Sequence, residues 1–405
     1  MYGISEDFIR AVPKTDLHVH IDGSLRLSTL IELAKELKVK LPSYTVEGLK
    51  KLVFKEHYQS LIDYLRGFKY TDDVMQNAEA LERIAYELAL DCFADGVRYI
   101  EPRFAPQLHA NKDFSIEDVL EATNRGLAKA KKEINNSKQI KDGKEPPFAY
   151  GIIGCALRMF NEHYSDYYDN FVHAHLFSTD DERFAMASLE LAKALIRIRD
   201  AFGIPIVAFD LAGAEAGYPA ENHQASYQYV HKNFLKKTVH AGEAYGAASI
   251  FQAITDLHAD RIGHGTYLFD ETKVELPTKD ERKKYIYDLS QYIADSRITL
   301  EISLTSNLQT NPELRDISKH PCKKMLDQKL SVTFCTDNRL ISNTTSTKEF
   351  KLAADTFGLN REQLKDIIAY GFKRSFYPGE YSEKRAYVRQ VLNFYEKLEN
   401  KFFKA

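Results

Sequence analysis

Two histidines stand two residues apart in Asp16-Leu17-His18-Val19-His20-Ile21-Asp22-Gly23. Side chains along a strand alternate between faces, so His18 and His20 point the same way and their imidazoles can meet at one point. A lone pair of this kind is equally consistent with two hydrogen-bonded strand residues. Far along the chain, however, more groups of the same chemical type close short apolar runs. They are His240 in Thr238-Val239-His240-Ala241-Gly242-Glu243, His264 in Arg261-Ile262-Gly263-His264-Gly265, and Asp337 in Val332-Thr333-Phe334-Cys335-Thr336-Asp337-Asn338. Three neutral imidazoles and one carboxylate drawn from this set form a nitrogen and oxygen shell that suits zinc and leaves room for a water or a substrate oxygen. Hydrolysis is the chemistry such a site supports, since bound zinc brings the pKa of water down to roughly 7. His173 and His175 repeat the spacing in Phe171-Val172-His173-Ala174-His175, but within a loop excursion, away from any strand end and with no matching partner. They are expected to be surface or loop histidines.

To converge, the five residues need elements that end at a common place. The chain supplies eight apolar runs ending in polar or glycine residues: Thr15 to Asp22, Val97 to Ala105, Phe148 to Leu157, Ile204 to Gly213, Lys237 to Glu243, Arg261 to Gly265, Arg297 to Asn307 and Ser331 to Asn338. Segments with helical periodicity, such as Ala78 to Asp95 and Met186 to Ala201, lie between them. Eight strand-then-helix units predict an α/β fold, a closed (β/α)8 TIM barrel with additional helices and loop excursions at its C-terminal face. Every candidate then sits at the carboxyl end of a strand, where barrel enzymes place their catalytic groups. Lys131 to Pro147 reads as a solvated extension before the third strand, and Asn161 to Arg183, rich in Tyr, Asp and His, as an excursion on the active face. The helical pattern around Leu61, Leu65 and Phe68 is inserted before the barrel helix at Ala78 and suits a lid. No linker or repeat divides the chain, so residues 1–405 are expected to form one domain.

Composition narrows the partners. Lys+Arg 55 against Asp+Glu 58 leaves a net charge of −3, with no basic excess to attract nucleic acid or an anionic membrane. No apolar stretch approaches the roughly 18 residues of a membrane helix, and the polar start of the chain is unlike an export signal. Cys92, Cys155, Cys322 and Cys335 are far apart and fit core thiols of a cytoplasmic protein.

The chain resembles the adenosine deaminases of the metal-dependent amidohydrolase superfamily over nearly its whole length. Its motifs are Pro13-Lys14-Thr15-Asp16-Leu17-His18-Val19-His20-Ile21-Asp22-Gly23-Ser24, Asp210-Leu211-Ala212-Gly213, His240-Ala241-Gly242-Glu243, Arg261-Ile262-Gly263-His264-Gly265 and Thr336-Asp337, in the family's order. The resemblance implies one zinc per chain on His18, His20, His240 and Asp337, and catalysis by Glu243 and His264. It further implies substrate contacts from Asp22 and Gly213, with His20 bordering the substrate as well, and a purine nucleoside as the small-molecule partner. The expected reaction is hydrolysis of adenosine, and of 2′-deoxyadenosine, to inosine and ammonia in purine salvage.

Elementary chemistry agrees with these roles. Attack at purine C6 gives up aromatic stabilisation unless N1 gains a proton, and Glu243, three residues beyond a candidate ligand, suits that acid once it holds a proton. His264 is placed to orient the attacking water, Asp22 to face ribose hydroxyls, and Gly213 to admit the ring close to the backbone. The commonest family pattern has two adjacent aspartates where this chain has Asp337 and Asn338. An asparagine amide donates at any pH and is compatible with the acceptor N7. The rival readings are a deaminase of another aminopurine, such as adenine or a modified nucleoside, and a zinc protein that has lost catalysis. Glu243 and His264 together argue against the second, and no basic cluster is evident for the phosphate of AMP.

Overall fold

The computed structural model describes residues 4–59, 61–311, 314 and 316–403, with the backbone alone for Leu61 and Ile62. Its strands are β1 (Lys14–His20), β2 (Val97–Phe104), β3 (Ala149–Tyr150), β4 (Ile152–Leu157), β5 (Ile206–Ala212), β6 (Lys236–Ala241), β7 (Arg261–His264), β8 (Thr299–Ile302) and β9 (Val332–Phe334). All pair in parallel in the order β1-β2-β4-β5-β6-β7-β8-β9, and β3 is a short prelude to β4 that also pairs with β2. Nearly every strand residue is buried, as parallel strands must be when helices cover them. The seam is closed by two backbone hydrogen bonds: Asp337 donates its N–H to the carbonyl of His18 (2.8 Å), and His20 donates to that of Asp337 (2.7 Å). The result is the expected (β/α)8 barrel.

Three local readings need correction. The seventh run, Arg297 to Asn307, is a strand only over Thr299–Ile302, and a helix begins at Leu304. Past Ile302 the last strand partners are used up, so the backbone satisfies itself locally, as in Asn307 N–H to Ser303 O at 2.9 Å. The eighth run is likewise a strand only over Val332–Phe334. His173 and His175 lie at the end of the helix Asp166–Ala174, not in a loop, and each ring bonds a carbonyl one turn back. Two residues along a helix span about 200°, so these rings cannot share an ion. The helix Leu61–Asp72 lies at the barrel mouth, with Leu65 and Phe68 facing the central cavity as a lid would. The side chain of Leu61 falls outside the described residues. Among the described residues no helix is long and apolar enough to cross a membrane.

The barrel interior is ionic where many barrels are apolar. Glu301 on β8 accepts from Arg103 Nη2 (2.9 Å) and Arg261 Nε (2.6 Å), Arg103 Nη1 reaches Asp210 (3.0 Å), and Arg261 also grips Glu101. All five side chains are inaccessible to solvent. Burial by itself would raise the Glu301 pKa, but the two guanidiniums hold it well below the usual carboxylate range. Its contribution to stability is thus complete above the unfolded value of about 4.3 and is lost as pH falls toward the depressed folded value. Arg261→Met should strand two buried carboxylates and destabilise the fold by about 3–5 kcal/mol, as read from urea unfolding followed by circular dichroism. A loss below about 1 kcal/mol would show that the network is not a stabilising core.

Candidate metal centre and catalytic pocket

His18 and His20 end β1, His240 lies near the end of β6, His264 ends β7 and Asp337 follows β9. Their side chains meet at one point above the ionic core. His18 Nε2 lies 3.4 Å and His20 Nε2 3.5 Å from Asp337 Oδ1, and His20 Nε2 is 3.3 Å from His240 Nε2. Donor atoms of His18, His20 and His240 all fall within 4.8 Å of one another, as do those of His18, His264 and Asp337. Close packing makes this possible: a Cβ on Gly263 would come within 3.0 Å of His18 Cε1. His264 and Asp337 leave their strands with left-handed backbone (φ 68° and 58°), a strain of about 1–3 kcal/mol each that recurs at functional sites.

The far side of three of the four ligand candidates is occupied. His18 Nδ1 bonds Glu301 Oε2 at 2.9 Å, His240 Nδ1 faces Asp210 Oδ2 at 3.1 Å, and Asp337 Oδ2 accepts from Ser306 Oγ at 2.5 Å. A carboxylate at Nδ1 keeps the proton there and leaves the Nε2 lone pair directed inward. Burial pushes His20 well below its ordinary pKa. Asp337, which burial would raise, is held low first by the neighbouring His18 and then by His264 and His20. Buried His18 Nε2 has no hydrogen-bond partner, and His20 Nε2 and His240 Nε2 lie 3.3 Å apart, close enough to share a cation between them. This donor set fits a zinc ion.

Around that point lies a cavity of about 470 Å³, within the range of small-molecule sites. Glu243 Oε1 stands 3.8 Å from His264 Nε2. Gly213, with φ 97°, borders the same cavity, and a left-handed turn there favours glycine. Asp22 is buried, and burial, followed by the nearby Asp337 charge, raises its pKa to about 7 against the bonds from its own and Gly23 amides. Asn338 donates Nδ2 to Tyr64 Oη on the lid helix at 2.8 Å. All nine candidates from the sequence therefore border one space or its metal point.

Two carboxylates escaped the sequence reading. Asp72, at the end of the lid helix, faces the cavity near Asp22, and its pKa is raised well above normal by burial and then by the Asp22 charge. Glu215 accepts the backbone N–H groups of Gly242 (2.9 Å), Glu243 (2.9 Å), Ala244 (2.5 Å) and Tyr245 (3.0 Å), together with Ser249 Oγ (2.5 Å). This clamp shapes the turn that carries Glu243. Its only sequence signal is a glutamate two residues beyond Gly213.

The family model described as adenosine deaminase matches residues 13–169 and 171–393. The chain belongs to the adenosine deaminase family. As a member of that family it is a hydrolytic deaminase. A probable adenosine deaminase of Dictyostelium discoideum is 33% identical over 99% of this chain but 46% of that protein, so the chain spans about half of that relative's length. The adenosine deaminase of Mycolicibacterium vanbaalenii is 33% identical over 95% of this chain and 96% of its own length. The adenine deaminase of Arthrobacter aurescens shares the fold, with a TM-score of 0.75 at 21% identity over 95% of this chain and 100% of that one.

Removing one inward lone pair should empty the site. His240→Ala is expected to lose most bound zinc and the activity together, as measured by elemental analysis of the purified variant. One zinc per chain retained would exclude His240 as a ligand.

Proposed function

We propose that the chain, as one barrel domain, hydrolyses adenosine and 2′-deoxyadenosine to inosine or deoxyinosine and ammonia. One zinc ion per chain would be held by His18, His20, His240 and Asp337. The observation that carries this reading is the convergence of those donors beside Glu243, at the end of a cavity whose outer wall bears Asp22 and Asp72. When bound, zinc supplies hydroxide near neutral pH. Glu243 delivers the proton that N1 needs as oxygen attacks C6, and the proton of the resulting C6 hydroxyl passes to the amino nitrogen as the C6–N bond breaks, leaving a C6 carbonyl and ammonia. The Gly213 turn lets the ring edge approach the backbone. Asn338 keeps one amide hydrogen for N7 beside the one it gives Tyr64.

Two observations support a nucleoside over a free base or a nucleotide. The Asp22 and Asp72 carboxyl groups can accept from or donate to ribose hydroxyls, whereas a phosphate would meet two acidic groups. Lys69, the cavity's lysine, is already bonded to Asp73 Oδ2 at 3.2 Å. The four cysteines are buried and unpaired, which supports a reducing cytoplasm.

Comparing kcat/KM on adenosine, 2′-deoxyadenosine, adenine and AMP tests the substrate. Adenosine and its deoxy form are expected to lead by at least about tenfold, and adenine or AMP ahead of adenosine would overturn the assignment. Glu243→Gln should keep its zinc and bind ligand while losing at least about 10²–10⁴ in turnover, the range for a proton-transfer group. Near-normal kcat in that variant would remove Glu243 from the chemistry.

A further inference from the structure

Behind His264, away from the cavity, three side chains and one backbone amide form a line of hydrogen bonds that runs in one direction. Its outer end is fixed, because a backbone N–H can only donate. The amide of Cys322 donates to His320 Nδ1 at 3.1 Å, so that nitrogen carries a lone pair. His320 is buried, and burial followed by the nearby His264 holds its pKa at about 4, which leaves a single ring proton on Nε2. That proton goes to Asn307 Oδ1 at 3.3 Å. With its oxygen so used, Asn307 turns its NH₂ toward His264 Nδ1 at 3.1 Å, and a donor there requires a lone pair on His264. The assignment of the Asn307 amide, often arbitrary, is here dictated by the chain of donors. Asn307 is itself wholly buried in the helix Leu304–Thr310, so no water competes for its amide.

We infer that the Asn307–His320 relay fixes His264 with its proton on Nε2, so that His264 meets the attacking water as a hydrogen-bond donor and not as the base that removes its proton. The inference rests on the reading of His264 as a group that touches the attacking water. With its ring proton on Nε2 and its lone pair on Nδ1 turned to Asn307, His264 has no lone pair to offer the water. The proton released as the water O–H breaks and the C6–O bond forms therefore goes to Glu243, whose Oε1 faces His264 Nε2 at 3.8 Å. Glu243 passes that same proton to N1 and ends unchanged, so the step balances. Asn307 and His320 are positioning residues: neither borders the cavity.

The tautomer can be read without turnover. In the zinc-loaded full chain labelled with ¹⁵N-histidine, two-bond proton–nitrogen correlations tell a protonated ring nitrogen from a bare one, and the His264 signals are those lost in His264→Gln. The expected pattern is a protonated Nε2 and a bare Nδ1, and the reverse would overturn the inference. Asn307→Asp replaces the donor by a group that accepts only. It should invert the pattern and lower kcat by at least about 100-fold, with zinc content unchanged and KM within about threefold. Wild-type kcat with an inverted pattern would equally overturn it. Because the resting enzyme is observed, an adenosine preference that failed would leave the tautomer result standing.

Discussion

Arg103 lies beneath the metal point and holds two carboxylates at once, Asp210 through Nη1 and Glu301 through Nη2. Those same carboxylates grip the outer nitrogens of His240 and His18. One guanidinium thus pairs with both of the anions that orient two imidazoles, in a place no water reaches. Without it, Glu301 and Asp210 would be pushed toward protonation by burial, and a protonated carboxyl no longer holds the proton on Nδ1. The aim of the inward lone pairs, and with it the ability to hold a cation, follows from charge balance two layers below.

That layering explains what could be read from the sequence. The residues that touch the metal point stand in short motifs at strand ends, where the two-residue strand period and the barrel rule locate them without knowing any partner. The groups that support them carry no such mark. Arg103, Glu301 and Glu101 sit within strands, where a reader expects apolar barrel filling, and they make sense only when β2 faces β7 and β8 across the barrel interior. Asp72 is one acidic residue among several on a polar helix until the lid is placed over the cavity. Glu215 becomes a clamp only because the turn after β6 presents four amides to it. The seventh strand was overextended because Ser303 to Asn307 carry no glycine or proline to mark where pairing stops.

Asn338 shows both limits at once. Its departure from the family's paired aspartates is plain in the motif, and so is the chemical compatibility of an amide with a purine acceptor. Its bond to Tyr64 is not, since Tyr64 belongs to an inserted helix distant in sequence. The bond joins the lid to the loop that carries Asp337, so lid position and ligand geometry share a neighbour.

The seam at which His18, His20 and Asp337 exchange backbone hydrogen bonds has a consequence for how the protein is made. His18 and His20 are synthesised more than 300 residues before Asp337. Over that interval β1 has one edge unpaired and two imidazoles lacking their carboxylate partner. Ring closure and completion of the donor set are therefore one event.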